Sequence, residues 1–134
     1  MKRRFSRRFR SETGQAIVEA AFVIPLLILL LCGILDFGWI FANQLEVDNC
    51  SREGARFAVV NADAADLTTL VTGRVESVAG LSSADDITVV VDFVGSQDVR
   101  VQVTKRVQVL TPLAGIFVPD QQLDLESTTV MRVG

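Results

Sequence analysis

The chain has 134 residues, a net charge of −3 and a 49% share of apolar residues, which suits one small domain and one strongly apolar segment. It has no histidine and two cysteines, and this composition argues against a zinc site built from the usual ligands. The sequence also lacks a recognisable nucleophile–base set and a phosphate-binding loop, so we predict no catalysis, no cofactor and no metal.

Positive charge is concentrated at the N-terminus. The basic residues there are opposed only by Glu12, and they are Lys2, Arg3, Arg4, Arg7, Arg8 and Arg10. Beyond Phe41, thirteen acidic residues outnumber seven basic ones. A basic flank keeps its side of a first membrane helix in the cytoplasm, so residues 1–14 are predicted to be a cytoplasmic leader, with residues 1–13 disordered or removed. Next to a membrane span, a nucleic-acid patch is the weaker interpretation, and we expect no nucleic-acid partner.

A long apolar run follows this leader. Sixteen uncharged residues separate Glu19 from Asp36, and an uncharged stretch resumes from Phe37 to Phe41. As a helix the first run covers about 24 Å, and both together approach the ~20 apolar residues that a membrane span requires. We predict a transmembrane helix over residues 15–42 of a single-pass protein in the cytoplasmic membrane. A cleavable secretory signal is disfavoured because the run is too long and no small-residue cleavage site follows it.

Within this segment, Asp36 is interpreted as an acid that reaches interfacial water rather than as a buried functional group. Cys32 and Cys50 would lie about 27 Å apart on one helix, beyond the reach of a disulfide. We interpret Cys50 as a small buried apolar residue, with a link between chains as the alternative.

The helix is predicted to continue beyond the membrane. Between Gln44 and Val60, apolar or small residues recur at helical spacing, at Val47, Cys50, Gly54, Phe57 and Ala58. Glycine inside a helix costs about 1 kcal/mol relative to alanine, so Gly54 is expected to allow close approach of another backbone; a tolerated accident is the alternative. Gly54 and Phe57 are therefore candidate helix-packing residues.

Residues 43–134 are predicted to form an α+β domain outside the cytoplasm. A second helix is expected over about residues 64–79. Alternation then predicts strands over residues 87–93 and 99–109, joined by the turn GSQD, and a third strand over 123–133. Lys105 falls on the apolar side of its strand, which a bulge or a charge guarding a sheet edge would explain. The apolar connection 110–122 is expected to cap the sheet, or else to touch a partner or the membrane.

The start of the apolar run resembles the processing site of type IV prepilins. Gly14 ends the basic leader, Gln15 follows it, and Glu19 is the fifth residue counted from Gln15. The resemblance implies cleavage by a prepilin peptidase after Gly14. We expect Glu19 to act in subunit assembly by neutralising the α-amine of a neighbouring subunit. The alternative is an interfacial acid favoured by the helix dipole.

A wider segment, GQAIVEAAFVIPLLILLLCGILDFGWIF followed by NCSREGARFAVV, resembles the TadE-like family of small pilin-like proteins in tight-adherence (Flp pilus) systems. The resemblance covers about Gly14–Val60, and the matching positions are Pro25, Gly33, Asp36, Phe37, Gly38 and Arg52–Arg56. The tail resembles the family in outline through its valine-rich strands, the LTPL motif and a last strand that ends in Met131–Arg132. Ala20 departs from the pattern, because many relatives carry an aromatic residue there.

The resemblance implies a pilin-like α+β fold and a minor pilin or pseudopilin that takes part in assembling a surface pilus used in adhesion. Its implied partners are the membrane, other pilus subunits and pilus assembly proteins, and its implied destination after assembly is the cell surface. Two other interpretations stay open. One is a permanently anchored scaffold or ligand-binding domain that never enters a filament. The other is an exported domain released by signal peptidase to bind a soluble ligand.

Overall fold

A computed structural model describes residues 8–80, 86–112 and 114–134, with side chains from Gly14 onward. Two helices precede three strands: α1 (Arg8–Val60), α2 (Leu67–Val78), β1 (Ile87–Val94), β2 (Asp98–Gln108) and β3 (Gln122–Arg132). Two single turns of 3₁₀ helix, Ala114–Ile116 and Pro119–Gln121, lie between β2 and β3. The predicted α+β class, with a long N-terminal apolar helix, is confirmed.

Helix α1 is continuous over 53 residues, a length of about 80 Å. It begins at Arg8, so residues 8–13, predicted to be disordered or removed, are helical in the structure, and their removal stays a prediction. Residues 1–7 lie outside the described ones. Pro25 lies inside α1 without ending it. From Ile17 to Leu35 the large apolar side chains are exposed, and by length and composition the helix can cross a membrane.

The three strands form one antiparallel sheet in the order β1-β2-β3. Val94 pairs with Asp98 at the tip of the β1–β2 hairpin, and Gly95 in the turn has a φ of +73°. Glycine adopts this left-handed conformation without a steric penalty. The hairpin predicted from the GSQD turn and the third strand are both confirmed.

One face of the sheet packs against the C-terminal half of α1 and against α2. The alternating side chains of β2 that face the helices are fully buried at Val99, Val101 and Val103. The intervening residues of β2, such as Gln102 and Arg106, lie on the opposite face. This alternation is what a sheet with one covered face requires.

Two details of the predicted elements differ from the structure. Helix α2 begins at Leu67 rather than near residue 64, because the Asp66 side chain accepts a hydrogen bond from Thr69 N at 3.4 Å and caps the first turn. The connection between β2 and β3 does not bury its described apolar side chains against the sheet, since Leu110, Ile116 and Phe117 are exposed. The expectation that this connection caps the sheet is therefore wrong for those residues.

Gly54 lies where α1, α2 and β2 meet. A Cβ placed on it would lie 3.0 Å from Val75 Cγ2, 3.2 Å from Val101 Cγ1 and 3.4 Å from Val71 Cγ1. Its close neighbours are thus valine side chains from two elements, where the sequence suggested another backbone. Phe57, the other candidate packing residue, is partly buried against the same core.

We expect Gly54→Leu to lower the free energy of unfolding by about 1–3 kcal/mol, because the added side chain has no space between the three valines. Urea unfolding of the protein in detergent micelles, followed by the fluorescence of the single tryptophan, Trp39, measures this change. The matched control is Gly73→Leu in α2, because Gly73 is exposed and a Cβ there meets no atom within 4 Å. Equal urea midpoints for the two variants and the unchanged protein would contradict the packing role of Gly54.

Candidate functional site on the N-terminal helix

The residues predicted to act in processing and assembly lie together near the start of α1. Gly14, Gln15 and Glu19 are all helical and exposed. Glu19 lies four positions after Gln15, which places them about 6 Å apart along the helix axis. A Cβ on Gly14 would meet no atom within 4 Å. This part of α1 is therefore open to a peptidase or to another subunit.

Asp36 lies further along α1 and is only 6% exposed, so the interpretation of an acid reaching interfacial water is wrong. Its carboxylate accepts hydrogen bonds from Thr111 N, at 3.0 Å, and from the Thr111 hydroxyl. Thr111 belongs to the LTPL motif after β2. Hydrogen bonds of this kind offset the cost of removing a carboxylate from water. The two motifs that resemble the same family are thus in direct contact.

One turn further along, Trp39 and Asn43 continue this junction between helix and sheet. Trp39 Nε1 donates to Gln108 O at 3.1 Å, where β2 ends. Asn43 Nδ2 donates to Trp39 O at 2.8 Å, and Asn43 Oδ1 accepts from Lys105 Nζ at 2.5 Å. Asn43 therefore links the helix backbone to the central strand.

Lys105 is 3% exposed and forms an ion pair with Glu46 of α1. Strand β2 is central, and Lys105 pairs with Ile87 on one side and with Leu125 on the other in an unbroken register. The expectations of a bulge or of a charge on a sheet edge are therefore wrong. Lys105 faces the apolar side because its partners, Glu46 and Asn43, lie on α1 opposite it.

Beyond this cluster, the segment Arg52–Arg56 contacts α2 through Glu53. Glu53 Oε1 accepts from Arg74 Nη2 at 2.6 Å, and this hydrogen bond holds the pKa of Glu53 below its usual value. The hydroxyl of Ser51, just before this segment, lies 3.0 Å from Ser127 Oγ and 2.9 Å from Thr129 Oγ1 on β3. Polar contacts thus fix the position of α1 on both neighbouring elements.

Cys50 is buried, as expected for a small apolar residue, and its Sγ lies 4.0 Å from Val75 O. Burial raises the pKa of the Cys50 thiol; the negative charge of Glu46 adds to this, and Lys105 opposes it. The thiol is therefore protonated and inaccessible, unlike a reactive cysteine. Within the described residues, no group of three or more His, Cys, Asp or Glu side chains could hold a metal ion.

Sequence reasoning did not single out Asn43, Glu46, Ser51 or Thr111. Asn43 precedes Val47 by four residues and so lies on the same side of the helix. Helical spacing could therefore have identified Asn43 as a polar residue on the packed side. Its pairing with Lys105 was not detectable, because the two residues are far apart in the chain and meet only through the fold. Thr111 was seen only as part of a motif.

We expect Lys105→Met to lower the free energy of unfolding by about 3–5 kcal/mol, because the buried Glu46 carboxylate loses the charge that compensates its burial. The double variant Glu46→Leu/Lys105→Met should regain much of this loss, since it removes both charges. Urea midpoints measured by Trp39 fluorescence test both expectations.

The control for Lys105→Met is Arg106→Met at the next position. Arg106 pairs with Asp124 at 3.2 Å, but its side chain is 62% exposed. Surface ion pairs contribute about 0–1 kcal/mol, so this variant should unfold close to the unchanged protein. Equal losses for Lys105→Met and Arg106→Met would contradict a stabilising buried pair.

One comparison with known proteins finds a match within α1. Residues 14–56 match the family model described as TadE-like protein. No curated protein and no solved structure matches the chain. The matched range includes Gly14, Glu19, Asp36 and Gly54, whereas the LTPL motif and the strands lie outside it. The chain carries a TadE-like segment from Gly14 to Arg56, and the resemblance predicted from its sequence is confirmed over that range.

Proposed function

We propose that this protein is a minor pilin or pseudopilin that takes part in assembling a tight-adherence (Flp, type IV-like) pilus. The observation that carries the proposal is the TadE-like match over residues 14–56, which connects the chain to the membrane-associated Tad pilus system. The matched range begins at the glycine predicted for processing and contains the whole exposed apolar part of α1.

The exposure of α1 supports this role. A helix that is apolar on all sides needs lipid or other helices around it. Between Ile17 and Leu35 the large apolar side chains are exposed, and no other helix of the described residues covers them. A pilin subunit meets both environments, first the lipid of the cytoplasmic membrane and then the packed helices of a filament. The same apolar surface of α1 would contact lipid in the membrane and other helices in the filament.

Processing is proposed to occur after Gly14. Cleavage requires the peptide to leave the helical conformation, and glycine lowers helix stability by about 1 kcal/mol relative to alanine. Gly14 therefore marks a point in α1 where local opening is favourable. Cutting there would create a new α-amine on Gln15, about 6 Å along the helix from Glu19.

Glu19 is proposed to neutralise the α-amine of a neighbouring subunit. Within the described part of the chain, Glu19 has no hydrogen-bond or ion-pair partner, and its side chain is exposed at the start of the apolar run. In a filament core an unpaired carboxylate would cost several kcal/mol. Pairing with an α-amine would remove that cost and set the register between two helices.

The protein is proposed to have a structural rather than a catalytic role, with the leader in the cytoplasm and the α+β domain outside. Ser96 lies in the exposed turn between β1 and β2. In protein that is not cut at Gly14, a membrane-impermeant thiol reagent applied to intact spheroplasts should label Ser96→Cys and not Ser6→Cys, because only the domain faces outward. Labelling of Ser6→Cys alone would contradict this orientation.

The central test of the proposed function is Glu19→Gln, which keeps the size of the side chain and removes its charge. We expect the variant to insert into the membrane and to be cut after Gly14. It should fail to co-purify with the other pilus subunits and fail to support piliation, because the neighbouring α-amine loses its counter-charge. Membrane fractionation, mass spectrometry of the N-terminus, co-purification and pilus counts measure these steps.

The matched control is Glu76→Gln on the exposed surface of α2, which should leave pilus assembly unchanged. Normal piliation with Glu19→Gln would contradict the assembly role of Glu19. An N-terminus that remains uncut at Gly14 in the unchanged protein would instead favour a permanently anchored scaffold.

A further inference from the structure

The connection between β2 and β3, residues 109–121, presents large apolar side chains to its surroundings; we call it the β2–β3 loop. Phe117 is 86% exposed, Ile116 76% and Leu110 59%. No charged residue occurs from Leu110 to Pro119. A cluster of exposed apolar side chains of this kind marks a contact surface rather than an ordinary solvent-facing connection.

Backbone hydrogen bonds join residues within the described part of this loop. Phe117 N and Val118 N both donate to Ala114 O, at 3.0 and 2.9 Å, and Gln121 N donates to Val118 O at 3.2 Å. The side chain of Gln121 lies against Gly115, where a Cβ would come within 2.7 Å of Gln121 Cγ. Phe117 is therefore held outward by a hydrogen-bonded loop.

Two contacts with α1 show in which direction the loop extends. At its start, Gln108 O accepts from Trp39 Nε1, and three residues later Thr111 donates to Asp36. Asp36 lies three residues before Trp39, about 4.5 Å closer to the apolar run along the helix axis. The loop thus leaves the sheet toward the exposed apolar part of α1.

We infer that the β2–β3 loop inserts Ile116 and Phe117 into the membrane interface beside α1, so that its partner is lipid. The inference rests on the membrane span of α1 in the proposed function. The loop contacts α1 at Asp36, next in the chain to Phe37, and Phe37 and Phe41 are exposed and stack with ring centroids 6.3 Å apart. Trp is enriched at the level of a membrane interface, and Trp39 lies between these two residues in the chain.

The loop backbone sets a limit on the depth of insertion. Irregular backbone does not occur in contact with the hydrocarbon core, because its polar groups would lack partners. The backbone therefore lies among the headgroups, and only the side chains of Ile116 and Phe117 reach the acyl chains. Such a contact would give the domain a second point of attachment, separate from α1.

Spin-label depth measurements on the full chain in phosphatidylcholine liposomes test this inference. Single cysteines for nitroxide labelling replace Ile116 or Phe117 in a Cys32→Ala/Cys50→Ala background that retains the circular dichroism spectrum of the unchanged protein. Leu30→Cys in the apolar run is the lipid reference. Val130→Cys is the water reference, because Val130 is 51% exposed and pairs with Arg100, toward the opposite end of the sheet.

We expect the labels at Ile116 and Phe117 to collide more with oxygen than with a water-soluble nickel chelate, as at Leu30, and the label at Val130 to show the reverse. A lipid-embedded Leu30 label with nickel-accessible loop labels would overturn the inference and leave the membrane span intact. Loop labels shielded from both reagents would indicate a protein contact, such as a second copy, and would also overturn it. Nickel access at Leu30 would overturn the span, and the inference with it.

Discussion

The packed side of α1, from Val47 to Ala58, is the surface on which every other element of the domain depends. Helix α2 reaches it through Val71 and Val75, and the sheet reaches it through the buried valines of β2. A 12-residue helix is marginal in isolation, and a small sheet needs a covered apolar face to be stable. Helix α1 covers that face together with α2. The helix that can anchor the protein in a membrane therefore also contributes to its core, through Val47, Cys50, Ala55 and Ala58.

Buried polar groups determine how the helix lies on the sheet. Contacts between valines have no directional requirement, whereas Asp36, Asn43, Ser51 and Lys105 are buried and each has a specific partner. A shift of one helical turn would leave these groups unpaired, at a cost of about 1–3 kcal/mol for each neutral group and more for a charge. Burial of valine thus stabilises the domain, and the polar contacts determine one position of α1 along the sheet.

The position of α1 along the sheet also matters for the proposed role in a pilus. Because α1 is continuous from Arg8 to Val60, its exposed apolar half and the half packed in the domain belong to one helix. The junction of Asp36 with Thr111 also brings the β2–β3 loop to the level of the apolar run. A subunit that moved from lipid into a filament would carry the helix, the junction and the loop as one body.

Sequence alone determined the features that depend on local pattern. The apolar run, the period of α2, the alternation of the strands and the glycine of the turn are each specified by residues close together in the chain, and so is the resemblance to TadE-like proteins. The tertiary structure alone decided the partners of isolated polar residues. Lys105 looked like an edge or bulge residue and Asp36 like a solvated acid, because their partners lie 59 and 75 residues away. Periodicity predicts which side of an element is covered, but only the packing of α1 on the sheet brings distant charges within hydrogen-bonding distance.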